Sequence, residues 1–198
     1  MPTLFPNTAD AVLAAVSRAG HAVFDQTRMR YNLQIVGFRS SLTLSNRFDD
    51  QISVVFHTGD RVPRVWSWPV TTDPGTYWVE NPGRVAGVAV LKAGQYRGAW
   101  QLGLHKGEKP ALVQVKPVTV WRDNNRNALR DTTVTETGLF GINIHRAGLS
   151  STQVDKWSAG CQVFQNDSDF EEFLGLCRLQ AANGPGWDRF SYTLLENW

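Results

Sequence analysis

Cys161 lies in the run WSAGCQVF (157–164), behind a serine and a glycine and within an apolar, strand-like stretch. Sixteen residues upstream, His145 ends the apolar run FGINIH, where it projects from the end of a strand. The polar segment between them, RAGLSSTQVDK, can fold back and bring the two side chains together. A thiol with a free pKa of ~8.5 is mostly protonated at neutral pH, and an adjacent imidazole that takes the proton leaves a strong nucleophile. Such a thiol should alkylate faster than a merely buried one. Gly160 allows a tight backbone and an unhindered approach of a substrate carbonyl. The N–H groups of Gly160 and Cys161 can stabilise an oxyanion, and Ser158 can orient the imidazole or hydrogen-bond the loop. Residue types and spacing leave two readings open: this nucleophilic pair, or a packed strand cysteine beside a hydrogen-bonded histidine.

The other cysteine, Cys177, recurs with Phe170, Phe173 and Leu174 at helical spacing, which makes it a packed thiol. A bridge between Cys161 and Cys177 would remove any nucleophile. Zinc is disfavoured, because His21, His57 and His105 are scattered and no second cysteine lies at ligand spacing. No metal and no cofactor is therefore expected. The stretch WRDNNRNALRD places Asp123, Asn125, Asn127 and Asp131 in a pattern near that of a calcium loop. Ala128 replaces the turn glycine and Val134 the closing glutamate, so a polar turn is the better reading.

These residues need elements to hold them. Asn7 or Thr8 can cap a helix through about Arg18, with Gly20 as its stop. Strand-type runs follow at NLQIVGF, QISVVFH, RVWSWPV, GVAVL, GAWQLGL, ALVQVKPVTVW and FGINIH, separated by turn signals such as TGD, DPG, NPG and HKGEK. A late helix spans about Ser168–Ala181 with Ser168 as cap, and DRFSYTLLE forms a last strand. Many short strands with a helix at each end predict a single mainly-β domain over 1–198, a sandwich or barrel, with residues 1–30 as a helical segment packed on it. The phosphate-cradling glycine loop of a nucleotide fold is missing.

The 198 residues suit one core. A net charge of +2, with basic and acidic residues interleaved, gives no case for nucleic acid. No run approaches the ~18 apolar residues of a membrane span. Asp10 and Arg18 interrupt the apolar N-terminal segment, which has no basic leader, so it reads as an amphipathic helix rather than a secretory signal. Eight tryptophans suit core edges and the walls of grooves for extended ligands. Trp157 can wall the site. Tyr96 and Arg97 lie near a turn, where Arg97 or Lys106 can pair with a ligand carboxylate.

The segment IHRAGLSSTQVDKWSAGC resembles the active-site signature of the L,D-transpeptidases of YkuD type: a His, a loop, then Ser/Thr-His-Gly-Cys. His145 matches the general base, Ser158 and Gly160 the approach, and Cys161 the nucleophile. WPVTTDPGTYW resembles the family's upstream strand and turn at Val70, Thr71, Thr72, Pro74 and Gly75. Ala159 stands where the family usually has a second histidine, and Gln162 follows the cysteine where an arginine is common, as in a divergent Ser-x-Gly-Cys branch that includes phage-type lysins and antibacterial toxins. The resemblance implies a cysteine L,D-peptidase that cleaves peptidoglycan stem peptides at the L-centre of a diamino acid. The alternatives are an L,D-transpeptidase that cross-links or exchanges D-amino acids, and, from another class, a non-catalytic wall-binding or virion module. The implied partner is peptidoglycan, reached by a monomer after release or export by a route other than a signal peptide.

Overall fold

The computed structural model describes residues 5–25, 29–40, 46–127, 129–149 and 151–198. Parts of the N-terminal segment (1–4 and 26–28) and Ala128 of the polar loop lie outside the described residues. The chain is mainly β, with a helix near each end. In order it forms α1 (Ala9–Arg18), β1 (Gln34–Phe38), β2 (Asp50–Phe56), β3 (Arg64–Thr71), α2 (Thr76–Glu80), β4 (Val88–Leu91), β5 (Gly94–His105), β6 (Lys109–Gln114), β7 (Val118–Asp123), β8 (Thr135–Gly138), β9 (Ile144–Arg146), β10 (Gln162–Phe164), α3 (Asp167–Ala181) and β11 (Arg189–Leu195).

Eight strands close a barrel in the order β1-β11-β5-β6-β9-β10-β3-β2, and β4-β7-β8 make a separate sheet. Closure leaves no long edge in the barrel, which suits a chain with so many short apolar strands. β1 is buried along its whole length because both of its faces are covered. Ile35 joins the main core with Ile52, Val54, Trp68 and Trp100. Val36 and Phe38 face the other way, onto Val12, Ala15 and Val16 of α1. Leu91, Val118 and Val120 of the small sheet pack into the same main core as the barrel. Each large apolar side chain buried in this way stabilises the fold by ~1.5–3 kcal/mol.

Thr8 caps α1, its hydroxyl accepting the Ala11 N–H at 3.2 Å. α3 begins one residue before the expected Ser168, after Asn166. Its Phe170 and Phe173 pack against Phe164 of β10, and Cys177 is fully buried as a free thiol. The run ALVQVKPVTVW is two strands rather than one. β6 stays in the barrel, β7 crosses to the small sheet, and Pro117 between them has no N–H for a ladder. FGINIH is strand only from Ile144, β8 was not expected at all, and α2 follows the Pro74–Gly75 turn. Among the described residues no helix is long and apolar enough to cross a membrane.

A buried ionic cluster braces the turn after β3. Arg39 donates to the Thr72 hydroxyl and carbonyl at 2.8 Å, and pairs with Asp73 at 3.2 Å and Glu196 at 2.7 Å. Arg130 bridges the same two carboxylates. Burial pushes the Asp73 carboxyl up to about 6, against the pull of both guanidinium groups. Shared partners of this kind satisfy charges that would otherwise be costly to bury.

Candidate active site

Register brings the two resembling segments side by side. β10 pairs antiparallel with β3, Val163 opposite Thr71 and Phe164 opposite Val70. It pairs parallel with β9, which places Val163 opposite His145. The Gly75 N–H donates to the Ser158 carbonyl at 2.9 Å, and a Cβ at Gly75 would collide with the backbone of Asp155. Asn46 pins the same loop: its side-chain oxygen accepts the N–H groups of Thr76 and Asp155, at 3.0 and 2.7 Å. The polar segment after His145 therefore does fold back.

His145 and Cys161 meet there, and a third side chain joins them. One donor atom each from His105, His145 and Cys161 lies within 4.8 Å of the others. The imidazoles of His105 and His145 stack with centroids 4.2 Å apart. His105, expected to be scattered, ends β5 and is carried here by the hairpin in which it faces Lys109. An imidazole thus stands beside His145 although Ala159 replaces the second histidine of the resembling signature.

The network assigns the tautomers. His145 Nδ1 lies 2.9 Å from the Arg146 carbonyl, which can only accept, so Nδ1 carries the proton and Nε2 the lone pair. That Nε2 is buried without a hydrogen-bond partner among the described residues. The group that orients His145 is thus the Arg146 carbonyl and not the Ser158 hydroxyl. Ser158 does the other job: its hydroxyl donates to the Cys161 carbonyl at 2.8 Å and accepts the Gly160 N–H at 3.1 Å. The Gly160 N–H is thereby committed to the loop and not to an oxyanion. Asn143 accepts the Gln114 N–H at 2.9 Å, which fixes its amide so that the nitrogen donates to His105 Nδ1 at 3.0 Å. His105 then carries its proton on Nε2.

Cys161 is 8% exposed. Its thiol donates to the Gly141 carbonyl at 3.4 Å, and the Asn143 N–H faces the sulfur. Burial pushes the thiol up to about 11, opposed by the Asn143 N–H and the Lys106 charge. Burial, the neighbouring His105, and Lys106 and Lys109 hold His145 down to about 4, against the hydrogen bond to Arg146. His105 is lowered too, first by burial and then by the two lysines. The resting pair is thus a neutral thiol and a neutral imidazole, not the pre-ionised thiolate that simple adjacency suggested. Iodoacetamide should modify Cys161 slowly at neutral pH, with a rate that climbs about tenfold per pH unit as the thiolate fraction grows. A plateau near the free-thiol value of ~8.5 would contradict this environment.

A cavity of about 270 Å³ opens on the imidazoles, lined by His105, His145, Lys106, Lys109, Lys156 and Trp157. Trp157 is 37% exposed, and Lys109 sits 5.9 Å from its ring centroid. A second cavity of about 270 Å³, lined by Trp78, Arg84, Arg122, Phe140 and Ala159, lies beside the residue two before the cysteine. Tyr96 and Arg97 belong to neither. They sit at the opposite end of β5, eight or nine residues from His105 and so about 25–30 Å along the strand. The Tyr96 hydroxyl donates to the Lys92 carbonyl at 2.7 Å, and Arg97 lies over the Phe24 ring. In the polar loop, Asp123, Asn125, Asn127 and Asp131 accept backbone N–H groups of the loop itself, as a polar turn does.

Read from the sequence, His105 is set aside as a scattered histidine, and Asn143 and Asn46 draw no notice. Asn143 left a trace, a polar residue inside the apolar run FGINIH. Asn46 left none, and His105 needed the β5–β6 register to be placed. Compared with protein-family models, curated proteins and solved structures, the chain matches none.

Proposed function

We propose that this protein is a cysteine-dependent L,D-peptidase of peptidoglycan stem peptides, with Cys161 as nucleophile and His145 as base. The observation that carries the reading is the unpartnered lone pair on His145 Nε2. Its ring is anchored through Nδ1–H on a backbone carbonyl, it lies beside a thiol, and it opens on a cavity. A base oriented by a third group beside a thiol supports the reading of a nucleophile with its base, the thiol turning from the Gly141 carbonyl to engage the imidazole.

The steps follow from these atoms. The thiol turns from the Gly141 carbonyl, and its proton passes to His145 Nε2 as the sulfur attacks the scissile carbonyl, since neither group is charged beforehand. The backbone N–H of Cys161 donates to the resulting oxyanion, while that of Asn143 supports the sulfur as charge develops on it. The C–N bond breaks, and the leaving amine takes the proton from His145. Water then attacks the thioester, His145 accepts its proton, and the acid leaves as the thiol is restored. Lys106, Lys109 and Lys156 outnumber Glu108 around the cavity, which favours a substrate rich in carboxylates, as stem peptides are.

The cavity beside Ala159 favours a second reading, in which an acceptor amine in place of water takes the acyl group. Digestion of purified peptidoglycan, followed by mass spectrometry of the muropeptides, tests both against the wild type and Cys161→Ala. Loss of terminal D-residues, or opened cross-links with the gain of one water, is the expected result. New cross-links or exchanged D-residues would make the protein a transferase. No Cys161-dependent change on any wall type would overturn both and leave the binding module.

A further inference from the structure

We propose that Cys161, His145 and His105 form a binding site for a thiophilic divalent cation of the zinc class, and that the bound ion blocks the nucleophile. The site uses the same side chains as the proposed peptidase but does not depend on that activity. A sulfur and two imidazole nitrogens lie within 4.8 Å of one another. Thiolate and imidazole donors select zinc and its neighbours over magnesium or calcium.

The surroundings are those of metal-binding histidines. Ligating imidazoles hold their other N–H against a carbonyl or carboxylate, which fixes the tautomer. His145 already does so through Arg146, and its buried Nε2 has no hydrogen-bond partner among the described residues. A tetrahedral zinc with bonds of ~2.0–2.3 Å places its ligand atoms ~3.3–3.7 Å apart, so the three side chains must close by about 1 Å. The adjoining cavity leaves a fourth position for water.

Two features limit the affinity. Lys106 and Lys109 oppose a cation, and the thiolate formed on binding offsets one of its charges. Binding exchanges one proton for one ion: the thiol S–H ionises to solvent as the S–metal bond forms, with no change of oxidation state. His105 Nδ1 accepts from Asn143, so ligation through Nε2 requires the ring proton to move to Nδ1 and the amide of Asn143 to turn. Asn143 therefore holds the third ligand back. An aspartate there would accept both the Gln114 N–H and a His105 Nδ1–H, the carboxylate–histidine pairing of metal sites.

Cobalt(II) titration of the purified protein tests the site. The expected result is a thiolate-to-cobalt charge-transfer band that zinc abolishes and that Cys161→Ser lacks. His105→Gln should weaken cobalt binding about tenfold or more, and Asn143→Asp should tighten it by about the same factor. The absence of a charge-transfer band in the wild type would overturn the proposal. So would a band that survives Cys161→Ser, or an affinity unmoved by both His105→Gln and Asn143→Asp. The spectrum is independent of catalysis: a protein inert on every peptidoglycan that still gives the band keeps this site and loses the peptidase reading. If the protein is active, zinc should abolish turnover and a chelator restore it.

Discussion

Replacing His145 by glutamine should lower kcat/KM on stem peptides by about 10²–10⁴-fold, the usual contribution of a positioned general base. The wild type should show a rate that rises with pH through about 4, where His145 sheds its proton, and then stays level towards the thiol value of about 11. The same residue should leave a mark on stability. In the unfolded chain a histidine takes up its proton below its ordinary 6.5, whereas folded His145 resists until about 4. Between those values the unfolded state binds more protons at this residue, so His145 lowers stability as the pH drops across that window. His145→Gln should lose that contribution; His105 acts in the same direction, and Asp73, whose folded value is raised to about 6, opposes both. Urea unfolding above and below the window, with kcat/KM profiles for both proteins, checks the two effects together. An acid limb near or above 6.5 in the wild type would mean that the base is not this buried imidazole.

Gly160→Ala should cost both stability and activity. Gly160 has φ of +121°, and a Cβ there would run into the carbonyl oxygen of Ala89. Backbone strain of that kind costs ~1–3 kcal/mol, and the collision adds to it. A total of about 3 kcal/mol lowers Tm by roughly 6–12 °C for a chain of this length. Relief of the collision must also shift Cys161 against the Gly141 carbonyl and the Asn143 N–H, and a misplacement of about 1 Å costs on the order of 10²-fold in rate. Gly175→Ala, in α3 and with open space around its Cβ, is the control that should retain full activity. Calorimetry and turnover on the two variants decide the matter. A Gly160→Ala protein of unchanged Tm and rate would show that the close approach to Ala89 does not position the nucleophile.

The fold class was legible because the strand signals are local. Apolar runs of five to seven residues between Gly, Pro and Asp turns define strands whether or not their partners are known. The pair His145 and Cys161 was legible for the same reason, since one loop joins them. Strand order was not. His105 reaches the site only because β5 and β6 form a hairpin whose other side neighbours β9, and no local pattern encodes that. Tyr96 and Arg97 illustrate the converse: they share β5 with His105, but a strand rising ~3.3 Å per residue carries them to the far end of the barrel. The state of the thiol was also hidden. Adjacency to an imidazole suggests activation, whereas burial of both groups drives each towards its neutral form. Asn143 reads as an interruption of an apolar strand. In the structure that interruption orients His105 through its amide and supports the sulfur of Cys161 through its N–H.

The central claim is that the sulfur of Cys161 carries the acyl group. Acid quenching of the protein during turnover of a stem peptide, then intact-mass and peptide mapping by mass spectrometry, tests it most directly. The expected result is an adduct equal to the stem peptide minus its leaving residue, confined to the peptide that contains Cys161, sensitive to hydroxylamine and missing in Cys161→Ser. Turnover without an adduct on Cys161, or an adduct on any other side chain, would contradict it.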